Sequence, residues 1–130
     1  MVVLDSDILV GILRGDEKAI EYMDKLEKKE ERLNTTAINA FELFEGAMLM
    51  RDKNKQEKVE NLLKAFGSYS FNSPASWKAA EVSSGLKKTG KTVDFQDIAI
   101  ASIALLHGET IVTRNIEHFG RIKNLKIEKW

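Results

Sequence analysis

Three apolar residues, Val2-Val3-Leu4, run directly into Asp5-Ser6-Asp7, and then apolar residues resume. An unbroken apolar run of this kind predicts a short strand buried on both faces, as in the middle of a parallel sheet. Ile8, Leu9, Ile12 and Leu13 recur at helical spacing, so the strand feeds a helix. Asp5 and Asp7 therefore stand where a buried strand ends, the edge at which open α/β sheets form ligand sites. Ser6 or Asp7 can equally cap the helix. Asp5 is harder to assign to a cap, because capping does not call for an acid at the last buried strand position.

The same alternation continues along the chain. After Arg14-Gly15-Asp16 a helix carries Ile20, Met23 and Leu26 on one stripe, and the charge run from Lys25 to Arg32 reads as its solvated end. Leu33 to Thr36 predicts a second strand. Ala37 to Met50, rich in Ala, Leu, Phe and Met, predicts a helix. Lys55 to Phe66 is another helix, stopped by Gly67, and Tyr69-Ser70-Phe71 a third strand. Ser73 as N-cap, with Pro74 in the first turn, starts a helix that carries Trp77, Ala80 and Leu86 and ends near Gly90. Asp94 to His107, closed by Gly108, is the most apolar helix. Thr110 to Thr113 and Leu125 to Glu128 are the fourth and fifth strands. Strands separated by helices imply βαβ units, so the expected fold class is α/β: a short, mainly parallel five-stranded sheet flanked by helices. At 130 residues, with no repeat, linker or low-complexity tract, residues 1–130 make one domain with a sizeable core.

Composition narrows the chemistry. The absence of cysteine excludes disulfides, thiolate metal sites and a cysteine nucleophile. Acids and bases cancel at 20 each, so no global field draws nucleic acid, and any such binding must use a local patch. Nothing resembles a signal peptide and no apolar run approaches the length of a membrane span. The expectation is a cytoplasmic protein with no membrane partner.

Carboxylates recur at corresponding places. Glu42, with Ile38, Gly46 and Leu49 as helical neighbours, is predicted on a buried face, where a carboxylate must be bonded, protonated or holding a metal. A solvated acid at the helix rim is the alternative, and Glu45 lies near the same face. Asp94 and Asp97 share a face in the first turn of the apolar helix, where the macrodipole favours negative charge. A cap explains Asp94; Asp97, at the mouth of Ile98 to Ala104, suggests a site. Where the fourth strand ends, Asn115 by default caps the next turn, while Arg114 neutralises a phosphate or pairs with an acid. His107 at a helix end and His118 in a loop read as a dipole partner and a surface residue. Asp5, Glu42, Asp97 and Asn115 thus each lie at a strand's carboxyl end or early in the helix beyond it. Carboxylates brought together there repel, and a hard divalent cation removes the penalty; magnesium or manganese suits an all-oxygen set. Such a cation can activate water and stabilise a phosphodiester transition state.

In their order and spacing these residues resemble the PIN domain, and more narrowly the VapC toxins of toxin–antitoxin pairs. The likeness runs from Val3-Leu4-Asp5-Ser6-Asp7 through Thr36 to Glu42-Leu43 and Gly46, then Asp97 to Ala101, and Thr113-Arg114-Asn115 with His118-Phe119. The resemblance implies a magnesium- or manganese-dependent endoribonuclease. Asp5, Glu42 and Asp97 fall on the family's metal-site acids, and Asn115 completes the catalytic set. Asp7 falls where the family often has Asn, and Ser6 where it has Thr or Ser. Asn115 departs from the pattern, because the family frequently has a fourth acid there; Asp94, one turn before Asp97, is the candidate to compensate. Asn115, Thr113 and Ser6 would orient waters or the phosphate, and Arg114 is a candidate to hold RNA. The family also implies a homodimer and a small antitoxin whose segment fills a groove near the site. Candidates to line that groove are Ile8, Leu9, Ile12 and Leu13 with Tyr22, Met23 and Leu26, ordinary core packing being the alternative. Two rival functions remain: a non-catalytic PIN-like scaffold, favoured by Asn115 and opposed by the three retained acids, and a haloacid-dehalogenase-type phosphatase, whose strand also ends in Asp-x-Asp. Against the phosphatase, Leu9 follows Ile8 and no cap domain is evident.

Overall fold

The computed structural model describes residues 1–130. Its strands are β1 (Val2–Leu4), β2 (Leu33–Thr36), β3 (Gly67–Tyr69), β4 (Thr110–Val112) and β5 (Ile127–Glu128). They form one sheet in the order β3-β2-β1-β4-β5, with every pairing parallel. The helices are α1 (Ser6–Leu13), α2 (Glu17–Lys28), α3 (Ala37–Leu49), α4 (Lys53–Leu63), α5 (Ser73–Lys88), α6 (Phe95–His107) and α7 (Ile116–Phe119). The opening apolar run becomes the central strand because both faces of the sheet are covered. Val2 and Leu4 join a core with Ile8, Leu9, Met23, Leu26 and Leu43. Val3 points the other way, into a core with Ile98, Ile100, Ala101 and Ile111. Each such fully buried aliphatic side chain contributes about 1.5–3 kcal/mol.

Strand order reverses between β1 and β4: the chain leaves β1 toward β2 and β3, then returns to add β4 and β5 on the other side. Such a switch point opens a crevice at the carboxyl ends of the two strands. Asp5 follows β1 there and Thr113 follows β4.

Several expected boundaries moved for identifiable reasons. Gly67 does not stop a helix but opens β3, so the third strand lies two residues earlier than expected. It must be glycine, because a Cβ there would collide with the Asn34 side chain. Asp52 caps α4 by accepting from Asn54 and Lys55 N–H, which starts that helix at Lys53. Asn72 rather than Ser73 caps α5, leaving Ser73 and Pro74 inside the first turn. Ile20 is exposed and Ala19 takes its place on the α2 stripe, while α5 buries Ala75, Ala79 and Leu86 and leaves Trp77 outside. His118 belongs to α7, not to a loop. Of the residues expected to line a groove, Ile8, Leu9, Met23 and Leu26 are core, with Ile12, Leu13 and Tyr22 packed against it. No helix is long and apolar enough to cross a membrane.

A second buried acid lies at the opposite, amino-terminal edge of the sheet. Glu109, just before β4, is 3% exposed and accepts from Asn34 Nδ2 at 3.2 and 3.1 Å and from the Tyr69 hydroxyl. Burial, and then this bond to Glu109, push the Tyr69 phenol up to about 12. The Tyr69 ring stacks on His107, with centroids 3.9 Å apart.

Candidate active site

Asp5 is fixed before its side chain is considered, because its N–H donates to Val112 O of β4. Its carboxylate caps α1. Oδ1 accepts from Ser6 N at 2.8 Å and Asn39 Nδ2 at 3.1 Å, and Oδ2 from the Thr113 hydroxyl at 2.7 Å. The side chain of the α1 cap is therefore Asp5 itself, not Ser6 or Asp7. From α3, Asn39 also donates to Ser6 Oγ at 2.9 Å, and Ser6 in turn donates to Glu42 Oε1 at 3.0 Å. Thr36 holds Asn39 in place: its hydroxyl donates to Asn39 Oδ1 and accepts from Asn39 N–H. One chain of hydrogen bonds thus links the ends of β2, α3 and β1.

Asp7 is tied to the far end of the chain. Its Oδ2 accepts from Arg114 N–H at 2.8 Å and the Thr113 hydroxyl at 3.1 Å, and its Oδ1 from Trp130 Nε1 at 2.9 Å. Both oxygens are occupied by the protein, so Asp7 acts as a brace between α1 and the chain beyond β4. Arg114 does not pair with an acid. Its guanidinium stacks over Trp130, 3.5 Å from the ring centroid, and Nε donates to Trp130 O.

Across the crevice, Asp97 Oδ2 accepts from Asn115 Nδ2 at 3.3 Å and lies 3.4 Å from His118 Nδ1. Asn115 therefore holds Asp97 and makes no side-chain cap on α7. Asp94 occupies the cap position of α6 but also makes no capping bond. It is exposed, and its negative charge acts on Asp97 instead. Glu42 sits at a half-buried rim rather than on a buried face: Gly46 and Leu49, its helical neighbours, are exposed, and so is Glu45.

The acids are electrostatically strained against one another. Asp5 is only 7% exposed, and its pKa is pushed up to about 7, first by burial, then by the charges of Asp7 and, more weakly, Glu42. Its bonds from Thr113 and Ser6 pull the other way and lose. Glu42 is raised by burial and by Asp97 and Glu45, against the Ser6 bond. Asp97 is raised by burial and Asp94, while His118 and Asn115 oppose the shift. No three acidic or imidazole side chains converge closely enough to encircle one ion by themselves. That geometry disfavours a closed zinc site. It is compatible with magnesium, which keeps several waters and takes only one or two carboxylates directly. Oxygens without a protein partner remain on Glu42 (Oε2) and Asp97 (Oδ1).

The structure thus gathers Asp5, Glu42, Asp97, Asn115, Ser6 and Thr113 at one edge, with Asp7 braced beside them. Asn39, His118 and Trp130 belong to the same network and were not anticipated. Thr36 and Asn39, three apart across a strand–helix boundary, are a capping pair that could have signalled the first. The contacts of His118 and Trp130 are long-range and leave no local pattern.

Comparison with known proteins gives a consistent answer. The family model described as PIN domain matches residues 2–125. A curated relative, Ribonuclease VapC2 of Rickettsia felis, is 30% identical over 131 aligned positions, covering 98% of this chain and 96% of the relative. Among solved structures, VapBC2 from Rickettsia felis bound to a DNA fragment from their promoter aligns with a TM-score of 0.83 at 26% identity, over 100% of this chain and 99% of the other. DNA-bound VapBC from Salmonella typhimurium aligns with a TM-score of 0.89 at 22% identity, over 99% and 97%. The second likeness speaks to the fold alone.

Proposed function

This chain belongs to the PIN domain family, with a VapC ribonuclease among its relatives, and on that premise we propose that it is a metal-dependent endoribonuclease, the toxin of a toxin–antitoxin pair. The observation that carries the reading is Asp5: a carboxyl held by three donors yet raised to about 7, by its burial first and then by the charges of Asp7 and, more weakly, Glu42. Within the fold only His118, beside Asp97, opposes the cluster's charge, with nothing of the kind next to Asp5, and a hard cation would neutralise the rest. Asp5, Glu42 and Asp97 are the residues that would hold magnesium or manganese, in part through water. When bound, the ion supplies a lowered pKa for water and a counter-charge for the phosphodiester transition state.

The chain's own residues do the rest. Asn39 and Thr113 fix the Asp5 carboxylate from two sides, Ser6 fixes one oxygen of Glu42, and Asn115 fixes one of Asp97. Glu42 Oε2, free of protein partners, is placed to take the proton of the attacking water. Asp94 compensates for the missing charge at Asn115 by adding negative potential beside Asp97. Asp7, with both oxygens engaged by protein donors, braces the site from the chain beyond β4.

Two protein partners belong to the proposal: a small antitoxin, as the VapBC complexes among the structural neighbours suggest, and a second copy of the chain, as the family resemblance implies. The outer face of α3 offers surface for such contacts, since Phe41, Phe44, Met48 and Leu49 line an open apolar hollow of about 580 Å³. The protein would act in the cytoplasm. The test is cleavage of a mixed structured and single-stranded RNA pool with magnesium, manganese or chelator, beside Asp5→Asn and Asp97→Asn. Metal-dependent cutting lost in both variants is the expected result. Cutting that persists in them would point to a contaminant, metal binding without cutting would mean that the substrate was missed, and neither cutting nor metal binding would favour the scaffold.

A further inference from the structure

Cations are distributed unevenly around the acidic edge. On the β4 side, Arg114 is stacked on Trp130 and bonded to its carbonyl, and His118 is engaged by Asp97. On the other side a groove of about 390 Å³ runs between the end of α1, α3 and α4. One end of it is formed by Ser6 and Glu42, residues of the proposed site. Its floor is apolar, with Val10, Leu13, Leu43 and Met50, and Arg14, Lys55 and Lys58 also line it. Lys55 and Lys58 are three apart on α4, hence on one helix face, and Arg14 caps the end of α1. All three are exposed, and none takes part in an ion pair. Lys55 Nζ has only the Met50 sulfur, at 3.5 Å.

Uncommitted cations along a trough that begins at a phosphodiester-cleaving site match a polyanion. An apolar floor of this width suits the flat face of a base, and the volume lies in the range of small-ligand pockets. We propose that this groove holds the nucleotide adjoining the scissile phosphate, its base over Leu13 and Met50 and its backbone phosphates on Arg14, Lys55 and Lys58. RNA then enters from the α1–α4 side, and the Arg114 side chain takes no part in holding it. The inference rests on the nuclease reading above and deepens it by naming the path of the substrate.

The test measures binding of a short fluorescein-labelled single-stranded RNA to the Asp5→Asn protein, which cannot cleave it, across a salt series. Lys55→Gln/Lys58→Gln in that background should weaken binding roughly tenfold, as loss of two exposed ion pairs allows. It should also flatten the slope of log K against log salt by about 1.4, since each neutralised phosphate of a single strand contributes about 0.7. In the cleaving protein the same pair should raise KM and leave kcat within about twofold, because the lysines hold substrate without touching the reacting atoms. Arg114→Ala should change neither binding nor slope. Unchanged affinity and slope in the lysine pair, with the parent still binding and cutting RNA, would overturn the groove alone. An affinity loss in Arg114→Ala matching that of the lysine pair would overturn the assigned direction of entry. Failure of the parent to bind RNA at all would overturn the nuclease reading and the groove with it.

Discussion

Asp5 and Glu109 are both nine-tenths or more buried, both flank the inner strands of the same sheet, and both accept hydrogen bonds from an asparagine and a hydroxyl. Their surroundings differ in charge. Glu109 is bonded by the neutral donors Asn34 and Tyr69, with the Arg32 charge also acting on that tyrosine. Asp5 has Asp7 and Glu42 within range, and burial plus those charges outweigh its hydrogen bonds. A satisfied buried acid is thus a structural brace, whereas an acid buried among acids is a standing electrostatic cost that only a cation or a proton can relieve. The acid at the amino-terminal edge of the sheet adds to stability, and the acids at the carboxyl-terminal edge cost stability unless something neutralises them.

Substitutions can break this contrast in a graded way. Asp5→Asn should lower metal-dependent RNA cleavage by about a thousandfold or more, since it removes a charge from the group that would hold the ion, and a gel-based rate assay reads this directly. A pH series on the metal-free protein should show the next largest effect. The Asp5 pKa in the folded state lies above its unfolded value of 3.8, so the folded state binds the proton more tightly. Stability is then fully present below pH about 4, falls as pH rises, and is lost by up to about 4 kcal/mol above about 7. Chemical denaturation at pH 4 and pH 8 would measure the loss, which Asp5→Asn should largely abolish.

At the other edge, Glu109→Ala should cost about 2–4 kcal/mol by stranding Asn34 and the Tyr69 hydroxyl, with cleavage per folded molecule unchanged. A fall in specific activity beyond the unfolded fraction would break the separation between the two edges. The smallest effect is expected from Asn115→Asp. It exchanges the bond that steadies Asp97 for a further negative charge, so manganese should bind more tightly by roughly fivefold, readable by isothermal titration.

Much of this contrast was legible in the chain before folding. The central strand, its end at Asp5, the apolar helix behind Asp97 and a mainly parallel sheet follow from short apolar runs ending in polar residues, signals that are local and repeated. What escaped were relations between distant segments. Glu109 precedes a strand and looks like any exposed loop acid; the partners that bond it, Asn34 and Tyr69, come from two other strands. Trp130 shows nothing of its brace to Asp7, because 123 residues separate them. Asn115 and Asp94 were assigned to caps by local preference; both occupy cap positions, but neither side chain makes a capping bond, and Asn115 donates to Asp97 instead. The third strand slipped by two residues because the need for glycine at position 67 comes from Asn34 on the neighbouring strand, not from its own sequence.

The most direct test of the account is the shift in melting temperature on adding manganese at pH 8 to the wild type, Asp5→Asn and Glu109→Gln. The account predicts a manganese-induced rise in the wild type and in Glu109→Gln, and none in Asp5→Asn. A rise that survives Asp5→Asn, or no rise in the wild type, would contradict the claim that this edge of the sheet is a cation site.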